Sequence, residues 1–317
     1  MFRKFLKNKK EQIRRERAYY RFAKVSIHKL VCESDCEADF LAEIRRQYIL
    51  NTIGELYKDN SDPQIKKCID YAMKNGPQMY CYEEAKRKHY SLEDVFYDEK
   101  ASLYYAYWRG KKMYFKRSID SKEKVLDYLN LSFWEQSSDS PHCYLSDTFA
   151  VEGDGVILDV GAAEGNFTLS IIDRLKKAYL FECEPEWIEA LKYTFADYQD
   201  KVIVIPKYVS NKNSVNEITI DSFCAEYHLE KIDMIKMDIE GAEIKALKGA
   251  RTAINKGIIR KCAVCVYHNV EDAKKIEKLL PNYYKTYTDG YIMSAVFRWR
   301  GVKYPYWVKG VLRAKLK

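Results

Sequence analysis

The sequence lacks any apolar run near 18 residues, although 47% of its 317 residues are hydrophobic. This absence excludes a transmembrane helix. The first residues, Met1–Lys7, also lack the apolar stretch of a secretory signal peptide, so we expect a cytoplasmic protein. The chain is longer than one average domain and can bury a large core, which leads us to expect two domains.

A cysteine framework is missing as well. The nine cysteines are odd in number and irregularly spaced, which indicates free thiols rather than disulfides. Cys262 and Cys265 have the spacing of a zinc-binding pair, but they fall in a predicted strand, where residues three apart face opposite sides. No second pair completes a zinc site, so we expect these thiols to pack in the core.

The segment 156–168 predicts a strand, a turn and a helix. Val156–Val160 is an almost unbroken apolar run, typical of a strand buried on both faces of a parallel sheet. Gly161 and Gly165 permit positive φ or the close approach of a ligand. Apolar residues then recur every four positions, as on a helix that lies against a sheet: Phe167, Ile171 and Leu175.

The turn differs from the G-x-G-x-x-G turn of dinucleotide-binding folds. It reads Gly161-x-Ala163-x-x-Asn166 and keeps only the first glycine, while Asp159 and Glu164 place carboxylates where a phosphate would bind. Acids at this position favour a cationic ligand without phosphate. S-adenosylmethionine, which carries a sulfonium and an ammonium group, has this chemistry.

A further acid, Glu182, ends the next predicted strand and lies 182 − 161 = 21 residues after the first glycine. A carboxylate at a spacing of about 20 residues binds ribose hydroxyls in nucleotide folds. The turn and this strand end therefore predict a cofactor site that consists of Asp159, Gly161, Ala163, Glu164, Gly165, Asn166 and Glu182.

Four segments together resemble the FkbM-type methyltransferases of the class I S-adenosylmethionine-dependent superfamily. They are Leu158–Asn166, Leu180–Pro185, Thr219–Phe223 and Ile235–Ala250, and the last is long and specific. The resemblance covers about residues 155–295 in the expected order and leaves the first half of the chain outside. One departure is Cys183, where the family usually has proline after the strand-end acid.

The resemblance implies an α/β fold with a Rossmann-like class I methyltransferase sheet. The pattern of the preceding residues predicts a mainly helical N-terminal region with a β-hairpin. After the first strand, the pattern predicts strands at 179–182, 201–205, 232–237 and 262–267, and helices at 240–256 and 271–280. A terminal hairpin is expected between 283–288 and 291–297, joined at Asp289-Gly290.

We expect four parts along the chain. Residues 1–120 form a helical region, with Phe40, Ile44 and Tyr48 on one stripe and an aromatic β-hairpin around Arg109-Gly110. A helix and a loop follow at 121–150. The catalytic domain spans 151–299, and a basic tail spans 300–317. The hairpin aromatics suit stacking on sugars or bases, but cross-strand packing is the commoner role.

Ligands in open α/β sheets bind beyond the carboxyl ends of the strands, where the fourth and fifth predicted strands place Asp238 and His268. Methyl transfer to oxygen requires removal of a proton, and histidine has the side-chain pKa nearest neutrality. We therefore expect His268 to be the general base, with ordering of the loop as its alternative role. Glu240 and His142 are candidate substrate contacts.

Asp238 is expected to contact the cofactor or the substrate, as the resemblance implies. Glu243 is better placed to serve the start of the following helix, since acids there interact favourably with the helix dipole. A divalent metal held by Asp238, Glu240 and His268 is the weaker alternative, and we expect no metal because the sequence has no recognisable metal motif.

The resulting expectation is an S-adenosylmethionine-dependent O-methyltransferase that acts on a hydroxyl of a saccharide or related small metabolite. The net charge of +8 and the aromatic hairpin leave an RNA methyltransferase as one alternative, although the charge lies mainly at the termini and no RNA-binding motif appears. A catalytically dead module that binds a glycan or a partner is another. The turn acids and His268 argue against the dead module.

Both ends of the chain are basic. Residues 1–24 contain ten lysines and arginines against two acids, and residues 298–317 contain seven against none, interleaved with tryptophan and tyrosine. Such segments suit peripheral contact with an anionic membrane, where each basic residue contributes about 1 kcal/mol. A solvated basic tail is the commoner role of such a segment.

Overall fold

The computed structural model describes Gln47 and residues 49–293 and 306–317. The chain divides into a unit of residues 1–55 and a unit of residues 56–317. In the first unit the described residues are helical, whereas the basic segment 1–24 and the stripe of Phe40, Ile44 and Tyr48 lie outside the described residues. Among the helices of the described part, none is long and apolar enough to cross a bilayer.

The second unit contains fourteen strands among its described residues. They are β1 (Val95–Asp98), β2 (Leu103–Trp108), β3 (Lys111–Tyr114), β4 (Gly155–Val160), β5 (Leu175–Phe181), β6 (Val202–Ile205), β7 (Tyr208–Val209), β8 (Glu217–Ile218), β9 (Met234–Met237), β10 (Lys261–Cys265), β11 (Tyr283–Tyr287), β12 (Ile292–Met293), β13 (Trp307–Val308) and β14 (Val311–Leu316). The α-helices are α1 (Pro63–Asn75), α2 (Lys122–Glu135), α3 (Asn166–Ile171), α4 (Pro185–Thr194), α5 (Ile220–Glu226), α6 (Glu243–Lys248), α7 (Arg251–Asn255) and α8 (Asp272–Leu279).

Seven strands form the central sheet in the order β11-β14-β10-β9-β4-β5-β6. The pairs β10–β9, β9–β4, β4–β5 and β5–β6 are parallel, and β14 is antiparallel to both of its neighbours. The chain order reverses at β4, which has β5 on one side and β9 on the other. Ligand sites of open α/β sheets lie at such a reversal, beyond the carboxyl ends of the strands. The predicted Rossmann-like α/β fold is confirmed.

The sheet is buried on both faces, as the apolar run at 156–160 predicts. Ile157 packs into the core on one face, and Leu158 and Val160 pack into the core on the other. The predicted strands at 179–182, 201–205, 232–237 and 262–267 correspond to β5, β6, β9 and β10. Successive side chains of a strand face opposite sides of the sheet, and both sides are covered here. These strands therefore consist almost entirely of hydrophobic residues.

The terminal hairpin was predicted with the wrong partner. The strand at Tyr283–Tyr287 pairs with Val311–Leu316, which inserts between β10 and β11. Ile292–Met293 pairs instead with Trp307–Val308 in a separate two-stranded sheet, and the rest of the predicted strand lies outside the described residues. A local sequence pattern predicts that a strand pairs with the next strand along the chain. Here β11 pairs with the distant β14, because this pairing buries the apolar side chains of β14.

The last residues are therefore part of the sheet and not a solvated tail. Val311, Leu312 and Ala314 are buried, and Arg313 and Lys315 alternate with them along the strand. Tyr306 and Trp307 are also buried, so these two aromatic side chains are not available as membrane anchors. The lysines and arginines of this segment suggested a solvated tail, although they alternate with apolar residues as expected of a strand. Membrane contact through the N-terminal segment stays a prediction.

The helix predicted at 240–256 is split into α6 and α7. The break comes at Gly249, where an added Cβ would lie 2.0 Å from the carbonyl oxygen of Ser210. Close packing against this backbone explains the glycine. The sequence pattern alone did not reveal the contact, because Ser210 lies in a different part of the chain.

The aromatic hairpin forms as predicted, with Arg109 and Gly110 both at positive φ in the turn between β2 and β3. A further strand, β1, extends it to three strands. Most of its rings make cross-strand contacts, such as Phe96 with Tyr105 at 5.3 Å between centroids. The hairpin is fixed to the central domain, since the indole of Trp108 donates to Ser170 Oγ at 2.7 Å.

Candidate functional site

A cavity of about 520 Å³ lies at the carboxyl ends of β4, β5 and β9, next to the reversal in strand order. Its size is within the range of small-molecule sites. The wall is partly apolar and partly charged. It is lined by Tyr128, Val160, Gly161, Ala163, Phe181, Glu182, Cys183, Glu184, Trp187, Lys207, Tyr208, Val209, Ser210, Glu217, Asp238, Ile239, Glu240, Ala242 and Lys245.

The turn after β4 brings backbone to the cavity. Gly161 has φ +79°, and an added Cβ would lie 1.9 Å from the carbonyl oxygen of Asp238, so only glycine fits between β4 and β9. Ala163 also has positive φ, at 46°, and Gly165 has φ +82° as it starts α3. Of the predicted cofactor residues, Gly161 and Ala163 line the cavity, whereas Gly165 packs against Phe195.

Glu182 fastens the end of β5 to this turn. Its Oε2 accepts from the amide of Ala163 at 2.9 Å, and its Oε1 accepts from the amides of Cys183 and Glu184 at 2.7 and 2.9 Å. A carboxylate oxygen accepts more than one hydrogen bond, so Oε2 keeps capacity for a ligand hydroxyl. A proline at position 183 would remove one of these donors.

Asp159 lies beneath the turn and not in the cavity wall. It is fully buried, accepts from Thr168 Oγ1 at 2.7 Å, and pairs with the ammonium of Lys236 at 3.1 Å. Lys236 also donates to the carbonyl of Gly161. Burial would lower the pKa of Lys236, but the charges of Asp159 and Asp238 raise it to about 12. The pair therefore supports the turn from below.

Glu164 and Asn166, both predicted cofactor ligands, are buried and do not line the cavity either. Glu164 accepts from Tyr128 at 2.9 Å and from Ser132 at 3.3 Å, both on α2. Burial raises the pKa of this carboxyl to about 7. Successive side chains of a tight turn point in different directions, so only part of the motif can face one ligand.

Asp238, at the end of β9, lines the cavity with its side chain 17% exposed. Oδ2 accepts from Tyr144 at 2.9 Å and lies 3.3 Å from Nε2 of His142. Oδ1 lies 3.4 Å from Nε2 of His268. Although burial would raise the pKa of Asp238, His142, Lys236 and His268 hold it well below its usual range. The carboxylate therefore stays ionised.

The prediction that His142 contacts substrate is not supported by its position. The side chain is only 2% exposed and lies behind Asp238, with Nε2 also 3.2 Å from the hydroxyl of Tyr267. Burial would lower the pKa of His142, but the charges of Glu135 and Asp238 raise it. The loop approaches the sheet edge as expected, but it presents His142 to a carboxylate and not to the cavity.

His268 lies behind the cavity wall and contacts three acids. Its Nδ1 is 3.1 Å from Glu243, and its Nε2 is 3.4 Å from Asp238 and 3.6 Å from Glu240. Although burial would lower the pKa of His268, the hydrogen bond to Glu243 and the charge of Asp238 raise it. Glu243 in turn accepts from the amide of Ile239 at 2.9 Å, which fixes its carboxylate.

Glu240 combines a strained backbone with an open side chain. Its φ is +54°, which is unusual for a residue other than glycine. The side chain is 91% exposed and lines the cavity, as expected for a residue that contacts a ligand. Strain of this kind occurs at ligand sites, where the surrounding structure maintains it.

Within the part of the chain that the structure describes, two sets of residues offer possible metal ligands, with donor atoms inside each set within 4.8 Å of one another. They are His142, Asp238 and Cys265, and Asp238, Glu243 and His268. In each set the imidazole already lies within 3.4 Å of a carboxylate, so the charges are partly balanced without a cation. The expectation that the site contains no metal stays a prediction.

Several cavity residues have no signal in the sequence motifs, because they reach the site from separate elements. Tyr128 comes from α2, Trp187 from α4 and Lys245 from α6. Lys207, Tyr208 and Ser210 follow β6 in a segment without a recognisable pattern. Lys236 lies inside the Ile235–Ala250 block and was within reach of sequence reasoning as a charged residue in a predicted buried strand.

Solved structures of methyltransferases are similar to this chain at low identity. The methyltransferase FkbM from Methylobacillus flagellatus KT is 19% identical, with a TM-score of 0.42, over 60% of this chain and 52% of that one. A putative RNA methyltransferase from Pyrococcus horikoshii is 18% identical, with a TM-score of 0.31, over 52% of this chain and 74% of that one. This chain thus spans about half the length of the first of them.

A third solved structure is TrmK from M. capricolum in complex with its natural cofactor product, S-adenosylhomocysteine. It is 12% identical, with a TM-score of 0.35, over 55% of this chain and 70% of that one. Among curated proteins, none matches the sequence.

The model of the methyltransferase FkbM domain matches residues 206–288, which include β9, β10 and the acids and histidine at their carboxyl ends. This match contains the block Ile235–Ala250 that carries the sequence resemblance. The resemblance is therefore confirmed over residues 206–288, which match the methyltransferase FkbM domain.

Proposed function

We propose that the protein transfers the methyl group of S-adenosylmethionine to a hydroxyl of a saccharide or related small metabolite. The observation that carries this proposal is the cavity that combines Gly161, Glu182 and Asp238 at the reversal of strand order. The cofactor supplies an electrophilic methyl group on a sulfonium.

The residues of the cavity fit this cofactor. Phe181, Trp187 and Val209 offer apolar surface for a nucleoside base. The carboxylates of Glu182 and Asp238 suit a ribose diol and an ammonium group, respectively. Lys207 and Lys245 also line the cavity and are available to a carboxylate. The carboxylates of Glu182, Asp238 and Glu240 in the cavity wall disfavour a dinucleotide phosphate.

Asp238 and His268 provide the remaining chemistry. The depressed pKa of Asp238 makes it a weak base, so its role is to bind and orient a charged or hydroxyl group. His268 is the proposed base, since Glu243 occupies Nδ1 and leaves Nε2 directed toward the cavity residues Asp238 and Glu240. The proton of the acceptor hydroxyl passes to Nε2.

The acceptor class rests on the resemblance to FkbM-type enzymes. A panel of saccharides and nucleotide sugars, with release of S-adenosylhomocysteine as readout, tests it. Turnover on RNA in place of every saccharide would replace this acceptor class with nucleic acid and leave the cofactor assignment intact.

The cofactor assignment predicts that Glu182→Ala weakens S-adenosylhomocysteine binding by about 1.5–3 kcal/mol, the scale of a hydrogen bond to a charged group. Isothermal calorimetry on the parent and the variant measures the change. Glu226→Ala is the matched control, because this exposed acid ends α5 outside the cavity. Equal affinity in parent and Glu182→Ala would remove Glu182 from the ribose site, and binding of a nicotinamide dinucleotide in preference would overturn the cofactor itself.

A further inference from the structure

Arg313, on the last strand, binds a loop that belongs to a distant part of the chain. Its Nη2 donates to the carbonyl oxygens of Cys143 and Leu145 at 2.8 and 2.7 Å, and its Nε donates to that of Tyr144 at 3.2 Å. One guanidinium therefore holds three successive carbonyls. The side chain is half-buried, which strengthens these charge-assisted hydrogen bonds.

The preceding residues of this loop are held by the same edge of the sheet. Thr288 donates from Oγ1 to the carbonyl of Pro141 at 2.5 Å. Gly310 packs so closely that an added Cβ would lie 1.9 Å from this carbonyl oxygen. The segment 141–145 is thus fixed at both ends by residues that flank or belong to β11 and β14.

The loop delivers two side chains to Asp238. Tyr144 donates its hydroxyl to Oδ2 at 2.9 Å, and Nε2 of His142 lies 3.3 Å from the same oxygen. Oδ2 of Asp238 thus contacts the two side chains of the loop, whereas Oδ1 faces Tyr267 and His268. The orientation of the Asp238 carboxylate in the cavity therefore depends on the position of residues 142–144.

We infer that Arg313 is a positioning residue of the methyl-transfer site, which acts through Tyr144 and His142 to set the Asp238 carboxylate that binds the methionyl part of the cofactor. This inference rests on the proposed function. Arginine suits the task because its planar fork donates in several fixed directions at once, whereas lysine is a point charge on a flexible stem. The role explains a basic residue whose neighbours in β14 are apolar and buried.

Two ligands separate positioning from general support of the fold. S-adenosylhomocysteine keeps the amino-acid portion of the cofactor, and 5′-methylthioadenosine lacks it. In Arg313→Met we expect the Kd for S-adenosylhomocysteine to rise by about tenfold, the lower end of the range for one hydrogen bond to a charged group. The Kd for 5′-methylthioadenosine should stay within twofold of the parent value, because this ligand does not extend to the carboxylate.

Further variants sharpen the test. Arg313→Lys keeps the charge and should show most of the same selective loss. Tyr144→Phe removes the hydroxyl that contacts Asp238, and the double variant with Arg313→Met should lose less than the product of the two single losses, since both act through one carboxylate. Lys315→Met is the control, because Lys315 is exposed on the same strand two residues away.

Each outcome has a defined meaning, with calorimetry for affinity and a thermal melt for folding. An equal loss of both ligands in Arg313→Met, no loss of either, or full additivity with Tyr144→Phe would overturn the positioning role. If Arg313→Met fails to fold, Arg313→Lys and Tyr144→Phe carry the same expectation of a selective loss. A parent protein that binds neither ligand would instead overturn the proposed function, and the positioning role with it.

Discussion

Replacement of Lys236 by methionine should lower the free energy of unfolding by about 3–5 kcal/mol, the usual cost of removing one partner from a buried ion pair. Lys236 is buried beside the fully buried Asp159, and it also donates to the carbonyl of Gly161. Methionine would leave Asp159 without its counter-charge and Gly161 without this donor. Urea unfolding followed by circular dichroism measures the change.

The double variant Lys236→Met/Asp159→Asn is the informative partner, because it removes both charges. It should recover a large part of the lost stability, since the penalty arises mainly from the unpaired carboxylate. Lys248→Met, an exposed lysine at the end of α6, controls for loss of charge alone. If Lys236→Met lowers the free energy of unfolding by less than 1 kcal/mol, the ion pair of Lys236 with Asp159 does not stabilise the turn.

The loss of unfolding free energy in Lys236→Met should also depend on pH. Burial raises the pKa of Asp159, and the positive charge of Lys236 opposes this rise, so the variant raises it further. A carboxyl whose folded pKa exceeds its unfolded pKa stabilises the fold below the unfolded value, and this contribution is lost as pH rises. The variant should therefore come closer to the parent at acid pH than at neutral pH.

The local part of the fold could be predicted from sequence because it depends on neighbours along the chain. The apolar run at 156–160, the glycine turn and the four-residue spacing that follows are local patterns, and they appear as β4, the turn and α3. The predicted helical stripe was too long, because Leu175 begins β5. The position of Glu182 was also accessible, because a helix of ordinary length separates parallel strands and fixes the spacing between their ends.

The remaining features depend on contacts between distant segments. Nothing within 300–317 specifies that Val311–Leu316 inserts between β10 and β11, since strand pairing over such distances is set by the burial of whole faces. For the same reason the sequence placed His142 near the carboxyl edge but did not show whether its ring faces the cavity or Asp238. Pairing of Asp159 with Lys236 required the register of β4 against β9.

His268→Ala should lower kcat with the true acceptor by about a hundredfold or more, the scale of a lost general base, and leave cofactor affinity nearly intact. Glu243 occupies Nδ1 of His268, and Nε2 lies 3.4 Å from a carboxylate of the cavity wall. His268→Gln keeps a polar side chain but cannot accept a proton, so it should lose nearly as much rate. His228→Ala, on the turn after α5, is the control.

The pH profile of the parent gives an independent check. Contacts with Glu243 and Asp238 raise the pKa of His268 above its ordinary value of 6.5. A base acts only when unprotonated, so kcat/KM should rise with pH through a pKa above 6.5 and level off beyond it. The rise should disappear in His268→Ala. A variant that turns over at the parent rate would show that the base lies elsewhere, and loss of the parent's activity in EDTA would favour a metal held by the acids around His268.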